Sequence, residues 1–131
     1  MEDSIFTKII KGEIPSHKVY EDDKTLAFLD IYGTVEGHTL VIPKKQVEFV
    51  WDLEDEDYQA LMATVKKAAR HMREVLPVTY VGEKVMGTDV PHAHIHLIPF
   101  TDPKRFADSY RENPEPDHGA LAAMAEKLRF A

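Results

Sequence analysis

The chain has 131 residues, no cysteine, and a formal net charge of −7 from 23 acidic and 16 basic side chains. That length suits a single domain, residues 1–131, with a proper core; the lack of cysteine excludes disulfides and thiolate metal sites. The acidic balance argues against binding a nucleic-acid backbone, and with no membrane-spanning run or signal-peptide pattern a cytoplasmic protein that does not engage a membrane is expected.

Residues 4–11 read as a short helix, with Ser4 as N-cap and Ile5, Phe6, Ile9 and Ile10 as an apolar stripe at helical spacing. Residues 18–21 and 25–30 are β-rich and flank the polar turn Asp22-Asp23-Lys24, which predicts a hairpin. Asp30 closes the second strand. It reads either as a turn aspartate or as a carboxylate able to accept two hydrogen bonds from vicinal hydroxyls. Gly33 and Gly37 punctuate the next loop, and residues 38–43 read as a buried strand stopped by Pro43. His38 at its start would, by residue type alone, be structural.

Residues 52–75 predict one long helix. Tyr58, Leu61, Met62, Val65, Ala68, Ala69 and Met72 recur at three- and four-residue steps, with acidic residues first and basic residues last, as the helix dipole favours. Pro77 ends that helix, and residues 78–81 read as a strand. Residues 101–116 form a polar, proline-bearing surface excursion with room for one helical turn. Asp117 then caps a closing helix over residues 118–128, which makes His118 a cap-region residue. The expected fold class is α+β: an antiparallel sheet, one long helix and short flanking helices. Its core would cover about residues 4–100, with residues 101–131 as a C-terminal extension.

The stretch Pro91-His92-Ala93-His94-Ile95-His96-Leu97-Ile98-Pro99-Phe100 carries the chemistry. Alternation puts His92, His94 and His96 on one face of a strand and Ala93, Ile95 and Leu97 on the other. Such a row could be a surface strand with incidental histidines, and an internal run interleaved with core residues is no tag. It could also be a metal site, since a catalytic zinc takes three protein ligands. A fourth reading is nucleophilic and acid–base chemistry on phosphorus. Spacing alone does not separate the last two.

The segment His92-Ala93-His94-Ile95-His96-Leu97-Ile98 resembles the motif of the histidine triad (HIT) superfamily. Residues 4–15, 26–31 and 37–45 resemble, in order and spacing, the other blocks of its Hint-like branch. The resemblance implies a HIT-like fold and an isologous homodimer. It also implies hydrolysis of a nucleoside 5′-phosphoramidate or related conjugate at the α-phosphate, without a cofactor. Cleavage of a dinucleoside polyphosphate, or a catalytically weak nucleotide- or partner-binding module, are the alternatives. An AMP- or GMP-type nucleotide is the expected small-molecule partner.

By the same resemblance, His94 is the nucleophile that forms a nucleotidyl-histidine. His96 contacts the phosphate and passes a proton to the leaving group, His92 orients its neighbours, and His38 joins the relay from behind. Phe6, Ile9, Ile14, Phe28, Ile31 and Leu40 would wall the base, and Asp30 would hold the ribose. Gly87, Thr88 and Asp89 would lie toward the phosphate. The chain departs from the Hint pattern at Val81, Glu83, Thr88 and Asp89, where relatives place Asn, Gly, Gln and often Ser. It also has Ser4, Thr7 and Gln46 where zinc-containing relatives carry Cys, Cys and His, so a structural zinc is not expected.

Overall fold

The computed structural model describes residues 2–107 and 115–130. Helix α1 spans Ile5–Ile10, strand β1 Lys18–Glu21, β2 Thr25–Leu29, β3 Thr39–Pro43, and α2 Asp55–Val75. Strand β4 follows at Tyr80–Lys84, β5 at Ile95–Phe100, α3 at Pro103–Ala107 and α4 at His118–Leu128. The five strands form one sheet in the order β1-β2-β3-β5-β4, and every neighbouring pair is antiparallel. The fold is α+β, as the sequence patterning requires.

The two faces of the sheet are buried for different purposes. On one face, Val41, Ile95 and Leu97 meet Leu61, Val65, Ala68 and Met72 of α2, whose three- and four-residue spacing makes one apolar stripe. Thr25 and Thr64 sit between these layers, and their hydroxyls satisfy each other at 2.7 Å. Ala125 and Leu128 bring α4 onto the same core. On the other face, Phe6 and Ile9 of α1 pack with Leu26, Phe28, Leu40 and Ile42 in a second, smaller cluster. Because side chains alternate along β3, Leu40 and Ile42 face α1 while Thr39 and Val41 face α2.

Several boundaries differ from the sequence pattern, each for a local reason. The long helix starts later than residue 52, because Val50–Asp52 forms a separate 3-10 turn and Leu53 is extended. The strand expected at residues 78–81 lies at Tyr80–Lys84, since its pairing with β5 continues to Lys84 opposite His96. The histidine strand begins only at Ile95. Before it, the His92 N–H bonds to Val90 O and the Ala93 N–H to Val47 O, so these donors serve loops rather than a ladder. Asp30 and His38 fall just outside β2 and β3, yet the Asp30 N–H donates to His38 O and continues their register. Within the expected surface excursion, Pro103–Ala107 is the helical turn, and residues 108–114 lie outside the described residues.

Candidate active site

Histidines 38, 92, 94 and 96 come together on the α1 face of the sheet, and all four are buried. Their hydrogen bonds fix which ring nitrogens carry protons. The backbone N–H of Thr34 donates to His38 Nδ1 at 3.0 Å, so the His38 proton sits on Nε2. His38 Nε2 lies 2.9 Å from His96 Nδ1, which therefore accepts and leaves the His96 proton on Nε2. That His96 Nε2 is buried with no hydrogen-bond partner among the described residues. A buried donor left unpaired costs free energy, so its position calls for an acceptor beyond the described residues.

His94 has the opposite tautomer. Its Nδ1–H donates to the His92 carbonyl at 2.7 Å, leaving the lone pair on Nε2. The His94 and His96 rings lie 5.2 Å apart, nearly perpendicular. The pair therefore presents one electron-pair donor and one proton donor side by side. Burial holds the His96 imidazole down to about pKa 4; His38 and His94 reinforce this and Asp30 and Asp89 oppose it. Burial likewise lowers His92, against the Pro43 carbonyl, which favours its protonated form. Near neutral pH both rings are uncharged.

His92 is anchored rather than open. Its Nε2–H donates to Pro43 O at 2.7 Å, and its Nδ1 accepts from Ser4 Oγ at 2.8 Å. Ser4 Oγ also caps α1 by accepting from the Thr7 N–H at 3.0 Å. Thr7 Oγ1 donates to Gln46 Oε1 at 2.6 Å, which further accepts from the Ser4 N–H at 2.8 Å. Ser4, Thr7 and Gln46, the three positions that align with a zinc set, thus meet beside His92. Two hydroxyls and an amide are poor zinc ligands beside thiolate and imidazole, and the one ring nitrogen facing them accepts a hydrogen bond. The donor set does not fit zinc.

Asp30 takes the turn-aspartate role and also stands beside His38. Oδ1 accepts the Tyr32 N–H at 2.8 Å, as a turn aspartate does, while Oδ2 lies 3.6 Å from His38 Nε2. Gly33 lets this loop fold close, since a Cβ there would come within 2.7 Å of His38 Cβ. Asp30, His38 and His96 could in geometry surround a cation, their ligand atoms lying within 4.8 Å of one another. Binding one would require removing the proton that His38 shares with His96. A cavity of about 600 Å³ opens between this loop and α4 and touches Asp30, Ile31 and His38, but not the other three histidines.

The expected base wall divides. Phe6, Ile9, Ile14, Phe28 and Leu40 form one apolar group, with Phe6 edge-on to both His94 and His92. Ile31 lies instead on the cavity side. Gly87 adopts φ 74, a conformation that explains the glycine, and its Cβ position faces Phe49. Thr88 and Asp89 are exposed, and their side chains contact each other at 3.4 Å. Sequence patterning marks Pro43 only as a strand stop and Thr34 and Val47 not at all, yet backbone groups of all three set the histidine geometry.

A sequence profile described as the HIT domain matches residues 11–102. The Protein hit of Bacillus subtilis is 41% identical over 141 aligned positions, covering 97% of this chain and 95% of its own. The adenosine 5′-monophosphoramidase of Saccharomyces cerevisiae is 43% identical over 101 positions, covering 76% of this chain and 64% of its own. Among solved structures, a Hit-like protein from Bartonella henselae superimposes with a TM-score of 0.81 at 31% identity, covering 97% of this chain and 95% of that one.

Proposed function

The chain belongs to the HIT-domain family, and from that premise we propose that it hydrolyses the α-phosphate linkage of a nucleoside 5′-phosphoramidate or related nucleotide conjugate. The observation that carries this reading is the pair of opposite tautomers: a lone pair on His94 Nε2 beside an unsatisfied N–H on His96 Nε2. The named activity of the yeast relative supports the same reaction class.

In this reading the base rests against Phe6, Ile9, Ile14, Phe28 and Leu40, and Asp30 accepts hydrogen bonds from the ribose. The anionic phosphate, on binding, draws a proton from solvent onto the His38–His96 pair, because an opposite charge favours the protonated form. Asp30 and Asp89 favour that form as well. His94 Nε2 attacks phosphorus, the P–N bond breaks, and the pair delivers its proton to the departing nitrogen. The pair then takes a proton from water, the resulting hydroxide attacks phosphorus, and the P–His94 bond breaks to release the nucleotide. The His92 carbonyl stabilises the His94 Nδ1–H throughout, which grows more acidic as the nucleotidyl group forms.

His94→Ala tests this assignment. It should abolish turnover of an adenosine phosphoramidate while AMP still binds. Turnover near the unmodified rate in that variant would remove His94 as nucleophile. We also infer an isologous pair of copies, because β4 is an edge strand among the described residues and carries the exposed Tyr80. Sedimentation equilibrium should give twice the chain mass; a single-chain mass at micromolar concentration would exclude it.

A further inference from the structure

The α1 face of the sheet holds its groups in sequence from one end to the other. The apolar cluster of Phe6, Phe28 and Leu40 comes first, the histidines follow, and α3 closes the far end. The register of β4 against β5 shows what lies beyond the histidines. Lys84 pairs directly with His96, Gly82 with Ile98, and Tyr80 with Phe100. Directly paired residues point to the same face, so Lys84 stands beside His96 while Glu83 points away.

Gly82 makes room for a ring. A Cβ at that position would fall 2.0 Å from Phe106 Cε1, so the Phe106 ring of α3 lies on bare backbone. Phe100 flanks the ring at 5.1 Å, and the Lys84 ammonium stands 4.7 Å from its centroid. Arg105, the preceding residue, reaches toward Thr34 O at 3.5 Å, on the loop whose N–H orients His38. Among the described residues, neither Lys84 nor Arg105 has a carboxylate partner. Two cations without carboxylate partners among the described residues and an aromatic platform thus gather at this end of the face, in a chain of net charge −7.

We propose that this end is a leaving-group subsite that selects an anionic leaving group, with Lys84 holding its acid group and Phe106 its apolar body. The inference rests on the hydrolase reading above and names the substrate class: a nucleotide whose α-phosphate is joined to an amine that also bears an acid group. Lys84 is half-buried, so its pairing with an anion is screened less than at an open surface.

Three substrates separate the possibilities: the adenosine 5′-phosphoramidates of phenylalanine and of phenethylamine, and diadenosine tetraphosphate. The first two share a phenyl body and differ by one carboxylate. Lys84→Gln should lower the ratio of their kcat/KM values, acidic over neutral, by roughly two- to fivefold, the scale of one partly screened charge pair. Lys84→Arg should keep most of the ratio. A loss confined to diadenosine tetraphosphate would keep the anionic subsite and identify its anion as phosphate. A ratio that Lys84→Gln leaves unchanged, with all three substrates still cleaved at their former relative rates, would overturn the subsite and spare the hydrolase reading. No cleavage of any of the three by the unmodified protein would remove the hydrolase reading, and this inference with it.

Discussion

Ser4→Ala removes two hydrogen bonds at once, and their sizes add up from the geometry. The hydroxyl caps α1 at the Thr7 N–H, and loss of an N-cap costs about 1 kcal/mol. The same hydroxyl donates to His92 Nδ1 at 2.8 Å, where both residues are buried. An acceptor stranded there costs about 1 to 3 kcal/mol. Thr7 Oγ1 stands 3.3 Å from His92 Nδ1 but is committed to Gln46 at 2.6 Å, so it compensates only in part. The expected total is about 2 to 3 kcal/mol, which lowers a urea midpoint by roughly 1 M or more. Far-UV circular dichroism is the suitable probe, because Trp51 is 73% exposed and would report little on unfolding. Ser4→Thr should recover most of the loss. Activity should fall as well in the folded Ser4→Ala protein, since the His92 carbonyl orients His94. A midpoint within about 0.2 M of the unmodified protein would match an ordinary surface substitution and refute the reasoning.

Further expectations follow from single sites. Asp30→Ala should weaken binding of AMP more than that of its 2′,3′-dideoxy analogue in calorimetric titrations; equal losses would remove the ribose contact. Acid should destabilise the fold through His96, whose pKa is lowered from 6.5 to about 4. Between those values the unfolded chain binds a proton that the fold excludes, so the contribution is full above pH 6.5 and lost as pH falls toward 4. Urea midpoints at pH 7.5 and pH 4.5, the two sides of that window, should therefore converge more in His96→Gln than in the unmodified protein; identical drops would contradict the assignment. Gly82→Ala should dislodge Phe106, whose ring occupies the Cβ position, and should cost about 1 to 3 kcal/mol as overpacking does. An unchanged thermal midpoint would mean the ring packs elsewhere in solution. Leu61→Ala, at a fully buried position of α2, should cost about 2 to 5 kcal/mol; a loss under 1 kcal/mol would contradict the packing.

Periodicity made much of this molecule legible. The alternating histidines, the stripe of α2 and the Ser4 cap are local patterns, and each produces its element wherever the rest of the chain lies. What stayed hidden depends on contacts between distant residues. Ser4 and His92 are 88 positions apart, and only the docking of α1 brings them together. Thr34 and Pro43 act through backbone atoms, which leave no mark on residue type. The strand boundaries moved because the histidine segment gives its first N–H groups to loops before it joins β5. Lys84 falls beyond the strand expected at residues 78–81, and only the register sets it opposite His96. The departures at Thr88 and Asp89 could be read from sequence as substitutions, but their exposure could not.

The central claim is that His94 carries the nucleotide during turnover. The direct measurement is intact mass of the protein after rapid quenching with an adenosine phosphoramidate, followed by peptide mapping. The account predicts a transient adduct of one adenylyl group on His94, formed and lost during AMP release. AMP release at full rate with no adduct at any quench time, or with the adduct on another residue, would contradict it.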